Sequence, residues 1–153
     1  MNPPWRVRAA EAGDRAGWAG LRARLWPDQR LADLADELDD WFEDPRLAAF
    51  VAEDGEGVCG FAEASLRSDY VNGTQTSPVA FLEGWYVAPE RRGQGVGRAL
   101  IAAVEAWGRG RGCRELASDA LLDNVDSQRA HEACGFEETE RVVYFRRVLG
   151  ERD

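Results

Sequence analysis

Residues Arg92, Gly93, Gln94, Gly95, Val96, Gly97 and Arg98 set three glycines at alternate positions between two arginines. Glycine lets a backbone approach a ligand closely and adopt positive φ. The run follows an apolar stretch, residues 79–87, that is closed by Pro89. It leads into Leu100, Ile101, Val104 and Trp107, which recur at helical spacing over residues 95–110. Amides at a helix start point outward without partners, with the positive end of the helix dipole behind them, and that suits phosphate. Arg91, Arg92 and Arg98 add positive charge there, in a chain whose formal net charge is -9. Two common phosphate loops are excluded. A Walker loop needs Gly-Lys-Ser/Thr, and all 19 basic side chains here are arginine. A dinucleotide fingerprint needs glycines at the first, third and sixth places. Counted from Gly93 the sixth residue is Arg98, and counted from Gly95 it is Leu100. On its own the loop fits either a phosphate cradle or a tight strand–helix turn.

A second group of candidates is acidic. Glu83 stands inside the otherwise apolar run 79–87. A carboxylate there must find a partner or lose its charge. It is either half of an ion pair with an arginine or an acid that works in a cleft. Asp119 follows a short strand-like segment and reads either as a site acid or as a cap for the turn after it. The single histidine, His131, lies three residues before Cys134. Cys59, Cys113 and Cys134 are odd in number and widely spaced, which predicts reduced thiols. One histidine and no Cys-x-x-Cys pair give no zinc site, so no metal is expected. The absence of lysine removes Schiff-base chemistry.

Composition narrows the class. A length of 153 residues fits one domain with one sizeable core, so residues 1–153 are read as a single domain. The hydrophobic fraction is 44%, which is not a disordered composition. Net acidity argues against a nucleic-acid partner. No apolar run is long enough for a membrane span, and no signal-peptide pattern opens the chain, so the cytoplasm is the expected location.

The elements that would carry these residues follow from periodicity. Residues 5–9 read as a strand, and Asp14 as the cap of a helix through Trp18, Leu21 and Leu25 that Pro27 stops. Leu31, Leu34, Ala35, Leu38, Trp41 and Phe42 predict one amphipathic helix with an acidic outer face. Residues 47–53 and 58–66 form a hairpin around Asp54-Gly55-Glu56-Gly57. A polar loop over 67–78 precedes the strand 79–87. A short strand at 114–118 follows the helix 95–110. A helix over 125–134 ends at Gly135, and residues 136–149 read as a long last strand or hairpin. This order is an α/β or α+β sheet with helices on its faces.

With that order in place, Arg92-x-x-Gly95-x-Gly97 after a strand and Pro89 resembles the acetyl-CoA loop of the GNAT superfamily of N-acetyltransferases. Asn124, with a helix running into Gly135-Phe136, resembles that family's second signature. The resemblance covers essentially the whole chain. It implies a single mixed, mostly antiparallel sheet with splayed central strands and about four helices. It further implies that the pantetheine arm of acetyl-CoA pairs near Trp85, Tyr86 and Val87. The pyrophosphate would rest on the amides of Arg92, Gly93, Gln94, Gly95, Val96, Gly97 and Arg98, and Asn124 would contact the coenzyme from the other side.

The likeness extends further. Leu25-Trp26-Pro27, residues 69–73 and 77–84, Ala117-Ser118-Asp119-Ala120 and residues 135–144 are similar to the aminoglycoside 6′-N-acetyltransferases. That resemblance implies an aminoglycoside acceptor, a role in antibiotic resistance and a homodimer. It carries sugar contacts onto Trp26, Tyr70, Glu83, Asp119 and Glu140. Three of those five are acids, as a polycationic acceptor demands. Glu83 and Asp119 would orient or deprotonate the amine. His131 stands where many GNAT enzymes place a tyrosine that protonates the departing thiolate, and Tyr144 is a second candidate acid. Gln75 is a further departure, at a loop position where the resemblance leads one to expect an acid. The same features also fit a GNAT enzyme for another cationic amine, a polyamine or a protein, or a non-catalytic acetyl-CoA-binding module.

Overall fold

The computed structural model describes residues 3–151. The chain divides into two compact units, with the boundary between Asp119 and Ala120. The first unit holds a five-stranded sheet in the order β1 (Arg6–Ala9), β2 (Leu47–Asp54), β3 (Gly57–Arg67), β4 (Val79–Val87) and β5 (Leu116–Ala117). The first four strands are antiparallel neighbours, and β5 joins β4 in parallel. Strand β3 is central and buried on both faces, which explains its run of small and apolar residues.

Helix α4 (Val96–Gly110) covers one face. Its Val96, Leu100, Ile101 and Val104 are buried. Gly60 of β3 admits it, since a Cβ there would lie 3.3 Å from both Leu100 and Val96. Helix α1 (Arg15–Leu25) packs on β3 as well, and Trp18, Leu34 and Leu38 are fully buried. Each such large apolar side chain is worth roughly 1.5–3 kcal/mol of burial.

Two expectations need correction here. The predicted single helix from Leu31 to Phe42 is broken into α2 (Leu31–Asp36) and α3 (Leu38–Glu43) at Glu37. In a continuous helix the Leu34 carbonyl would accept the Leu38 amide. Here Arg22 donates to the Leu34 carbonyl at 2.8 Å and to Glu37 at 2.8 Å. Tertiary bonding at this point overrides the apolar period. Asp14 precedes α1 but makes no cap bond to it. Its carboxylate instead accepts both Arg8 nitrogens, at 2.7 and 2.8 Å, and the Glu11 amide at 2.8 Å, closing a 3-10 turn over Ala12–Asp14.

The second unit contains α5 (Val125–Ala133). Its end is a Schellman arrangement: the Phe136 amide donates to the His131 carbonyl and the Gly135 amide to the Glu132 carbonyl, both at 3.0 Å. Gly135 takes φ 91° there, as its expected place after the helix requires. The strand or hairpin expected over 136–149 is not formed. This segment has no regular structure, and Val143, Tyr144, Phe145, Val148 and Leu149 are exposed. A strand exists only where another strand accepts its backbone bonds, and a run of β-prone residues does not supply that partner.

The Arg8 cluster predicts an acid-sensitive term in stability. Hydrogen bonds from Arg8, then from Arg6, hold the Glu53 carboxyl at about 2 against an ordinary 4.5, and Arg8 lowers Asp14 too. Both groups bind fewer protons folded than unfolded, so their contribution is complete above the ordinary carboxylate range and fades as pH falls toward about 2. The gap in thermal midpoint between the parent and Arg8→Met should therefore be widest near neutrality and close as pH drops through that window. A gap that stays constant with pH would refute this assignment.

Candidate active site

The register of β3 against β4 slips by one residue in the middle. Glu63 faces Gly84, yet Ala64 faces Leu82, so Glu83 is the extra residue of a β-bulge. A bulge re-aims the side chains beside it. Phe81 lies opposite Ser65 before the slip, and Gly84 lies opposite Glu63 after it. Glu83 and Gly84 therefore both reach the sheet face that carries Phe61, Glu63, Ser65 and Arg67. Glu83 Oε1 accepts Ser65 Oγ–H at 2.6 Å and Arg67 Nη2–H at 2.7 Å. The ion pair that the sequence allowed for Glu83 is thus present, on a carboxylate that also lines a pocket.

That pocket has a volume of about 500 Å³ and is lined by Arg22, Trp26, Gln29, Glu37, Asp40, Trp41, Leu47, Glu63 and Glu83. Its floor is a buried ion pair. Arg22 Nε lies 2.7 and 3.2 Å from the two oxygens of Glu63, and Glu63 is wholly buried. Burial pushes the Glu63 carboxyl up, and the Arg22 guanidinium pulls against that rise. Arg22 also lies under the Trp26 ring, 5.0 Å from its centroid. Trp26 follows α1 and rests on Gly84, where a Cβ would stand 2.8 Å from the ring. The pocket thus offers aromatic walls at Trp26 and Trp41 and carboxylates at Glu37, Asp40 and Glu83. Trp26 and Glu83 were expected in the site, whereas Arg22, Glu37, Asp40, Trp41 and Glu63 were not singled out. Arg22 and Trp26 are four apart, a helical spacing that brings two side chains together and signals this pair.

On its far side β4 is largely open. Strand β5 pairs with it only at Ala80↔Leu116 and Phe81↔Ala117. Among the described residues no strand pairs with the stretch from Leu82 to Val87 on that side. The Ala88 amide donates to the Cys59 carbonyl. By antiparallel alternation the backbone groups of Trp85 and Val87 then face the open edge, and those of Tyr86 face β3. The Val87 carbonyl accepts Arg92 Nε at 2.9 Å, and the Arg92 guanidinium lies 5.3 Å from the Tyr86 ring centroid.

The glycine loop sits between this strand and α4. Gly93 and Gly95 take φ of 77° and 86°, conformations that other residues avoid. No side chain caps α4 at Gly95, and the bond from the Ala99 amide to the Gly95 carbonyl opens the helix. Gly97 is small for a different reason, because a Cβ there would meet the Trp85 ring at 3.2 Å. Asp54 holds Arg91 at 2.9 Å, which anchors the loop to the end of β2.

The remaining candidates are placed as follows. Tyr70 is exposed on a loop anchored by buried Val71, which packs with Val79 and Phe81. Glu115 accepts the amides of Gln75 and Thr76 at 2.9 and 2.7 Å and fixes the loop at the Gln75 departure. Asp119 is exposed two residues beyond β5. In the second unit Asn124 caps α5, its Oδ1 accepting the Ser127 amide at 3.1 Å. His131 Nδ1 lies 2.6 Å from the Ser127 carbonyl and its ring meets Phe136 edge-on. Glu140 is exposed.

The Trp26–Gly84 contact is testable by one methyl group. Gly84→Ala should displace the indole and cost about 1–3 kcal/mol in urea unfolding. An unaltered midpoint, with unaltered tryptophan fluorescence, would mean that the ring has room to spare.

Comparison with known proteins fits this geometry. Residues 15–136 match the model of the acetyltransferase (GNAT) family. The aminoglycoside N(6′)-acetyltransferase type 1 of Stenotrophomonas maltophilia is 59% identical over 145 residues, 94% of this chain and 93% of the relative. The enzyme of the same name from Salmonella typhimurium strain LT2 is 50% identical over 134 residues, 85% of this chain and 90% of its own. Among solved structures, AAC(6′)-Iy in complex with the bisubstrate analogue CoA-S-monomethyl-acetylneamine superimposes with a TM-score of 0.89 at 43% identity. That match covers 95% of this chain and 99% of the other. A single sheet opened beside a glycine loop and a sequence likeness over most of the chain agree, and the chain belongs to the GNAT family of acetyltransferases.

Proposed function

We propose that this protein transfers the acetyl group of acetyl-CoA to the 6′-amine of aminoglycoside antibiotics and so confers resistance to them. The observation that carries this reading is the position of Glu83, at a bulge between the open edge of β4 and an acid-walled aromatic pocket. Aminoglycosides present ammonium groups and hydroxyls on sugar rings. Carboxylates at Glu37, Asp40 and Glu83 and the Trp26 face match both features. The relatives named for this activity cover nearly the whole chain, which supports the acceptor class.

In this reading the pantetheine arm adds along the open edge at Trp85 and Val87, with Tyr86 between them. The pyrophosphate rests on the amides of Arg92 through Arg98. Glu83 or Asp119, directly or through water, takes a proton from the 6′-ammonium. The neutral nitrogen attacks the thioester carbon. The oxyanion of the tetrahedral intermediate accepts the Val87 N–H that faces the open edge. Collapse breaks the C–S bond, and the thiolate takes a proton from His131, Tyr144 or water. Tyr70 and Glu140 contact the acceptor and Asn124 the coenzyme; these roles rest on the family resemblance.

We further read residues 1–153 as one catalytic domain without a metal, since the family match spans both compact units. Among the described residues no helix is long and apolar enough to cross a membrane. The cytoplasm, where acetyl-CoA is available, is the proposed location. The exposed apolar side chains of 142–149 favour a homodimer that covers them, which sedimentation velocity would register as twice the chain mass.

Thiol release from acetyl-CoA, followed with kanamycin-type and polyamine acceptors, tests the activity. Turnover is expected with 6′-amino aminoglycosides, and its absence with all of them would remove the reading. Glu83→Ala should lower kcat by roughly 10²–10⁴ while acetyl-CoA binding by calorimetry stays near the parent's. In the same assay slower turnover by His131→Ala assigns the proton to His131, and unchanged kinetics assign it to Tyr144 or water.

A further inference from the structure

Glu83 does not present a symmetrical carboxylate. Both of its protein donors, Ser65 Oγ–H at 2.6 Å and Arg67 Nη2–H at 2.7 Å, bind the same oxygen, Oε1. No hydrogen bond to Oε2 is found among the described residues. Ser65 and Arg67 are alternate residues of β3, so they share one sheet face with Glu83. Arg67 is itself held in place. Its guanidinium lies 3.6 Å from the centroid of the Phe81 ring, and Phe81 is buried. Ser65 is buried too.

From this geometry, and resting on the acceptor role given to Glu83 above, we infer that Ser65 and Arg67 are positioning residues. They clamp Oε1 of Glu83 so that Oε2 is aimed at the acceptor amine. The physical logic has two parts. A bulged strand residue on a pocket wall has several rotamers open to it, and two donors on one oxygen select among them. The Arg67 charge also offsets that of Glu83. The pair then acts on an ammonium through a directed Oε2 hydrogen bond more than through net attraction. Neither residue touches the reacting atoms, so their effect must pass through Glu83.

This arrangement has a signature that loss of a merely structural contact lacks. Removing Arg67 frees Glu83 to turn and leaves its charge unopposed. The acceptor is then held at least as tightly but in poorer alignment. Arg67→Met, which keeps much of the stem over Phe81, should lower kcat about tenfold with no rise in acceptor KM. Arg67→Lys, which retains a cationic donor, should recover most of that loss. Ser65→Ala should lower kcat by a smaller factor, again without raising acceptor KM. The KM for acetyl-CoA and the thermal midpoint should stay near the parent's in all three.

Steady-state thiol release with a 6′-amino aminoglycoside, run beside Glu83→Ala, decides the matter. If Glu83→Ala is impaired and Arg67→Met and Ser65→Ala turn over at the parent's kcat, the clamp is overturned and the reading of Glu83 stands. If Glu83→Ala turns over normally, the clamp and the role of Glu83 fall together. A fall in kcat for Arg67→Met that lysine does not relieve, or that comes with a raised acceptor KM, also overturns the clamp.

Discussion

The buried contact of Arg22 Nε–H with both oxygens of Glu63 is the constraint around which the first unit is arranged. Burying both charges is expensive, and the geometry has to be good for the attraction to offset it. Here Nε and Nη1 of the guanidinium are both engaged. It bonds both oxygens of Glu63 on β3, the Leu34 carbonyl of α2 and the Glu37 carboxylate at the break between α2 and α3, and it underlies Trp26 at the end of α1. Removing Arg22 would leave Glu63 buried without its cation, a loss of roughly 3–5 kcal/mol, whereas Arg22 without Glu63 would keep Glu37. One arginine thus fixes how far the helical layer stands from the sheet, and with it the depth of the pocket between them.

The bulge in β4 works from the other side of the same space. An unbroken strand would alternate Glu83 and Gly84 to opposite faces. The slip brings both to the pocket face, one as an acid and the other as the bare surface on which Trp26 rests. Beyond the bulge the strand turns Trp85 and Val87 to an edge that β5 leaves open. One strand is thus irregular at its middle and, toward its end, not joined by β5. The loop from Gly93 to Gly97 follows that same strand and leads into α4.

Much of this was legible in the chain. The sheet strands, α1, α4, α5 and the Gly135 cap follow from periodicity and turn chemistry, and the glycine loop by itself fits either a phosphate cradle or a tight turn until the family resemblance is added. Where local reasoning missed, a distant group had intervened. Leu31 to Phe42 has a continuous helical period, and Arg22 interrupts it by taking the Leu34 carbonyl. Asp14 has the position of a cap, and Arg8 draws it away. Residues 136–149 have the composition of a strand, but a strand also needs an edge to join.

By itself, then, the amino-acid order determined the family, the class of coenzyme and the presence of an acid inside an apolar strand, because these depend on residue type and short-range spacing. It left open whether Glu83 was an ion-pair partner or a site acid. Tertiary structure shows the ion pair and a position on a pocket wall together: Arg67 and Ser65 hold one carboxylate oxygen and the bulge sets the residue on that wall. That outcome depends on a one-residue slip between strands some twenty residues apart in sequence. Strand register is decided by side-chain packing on both faces of the sheet, which no short segment of sequence contains.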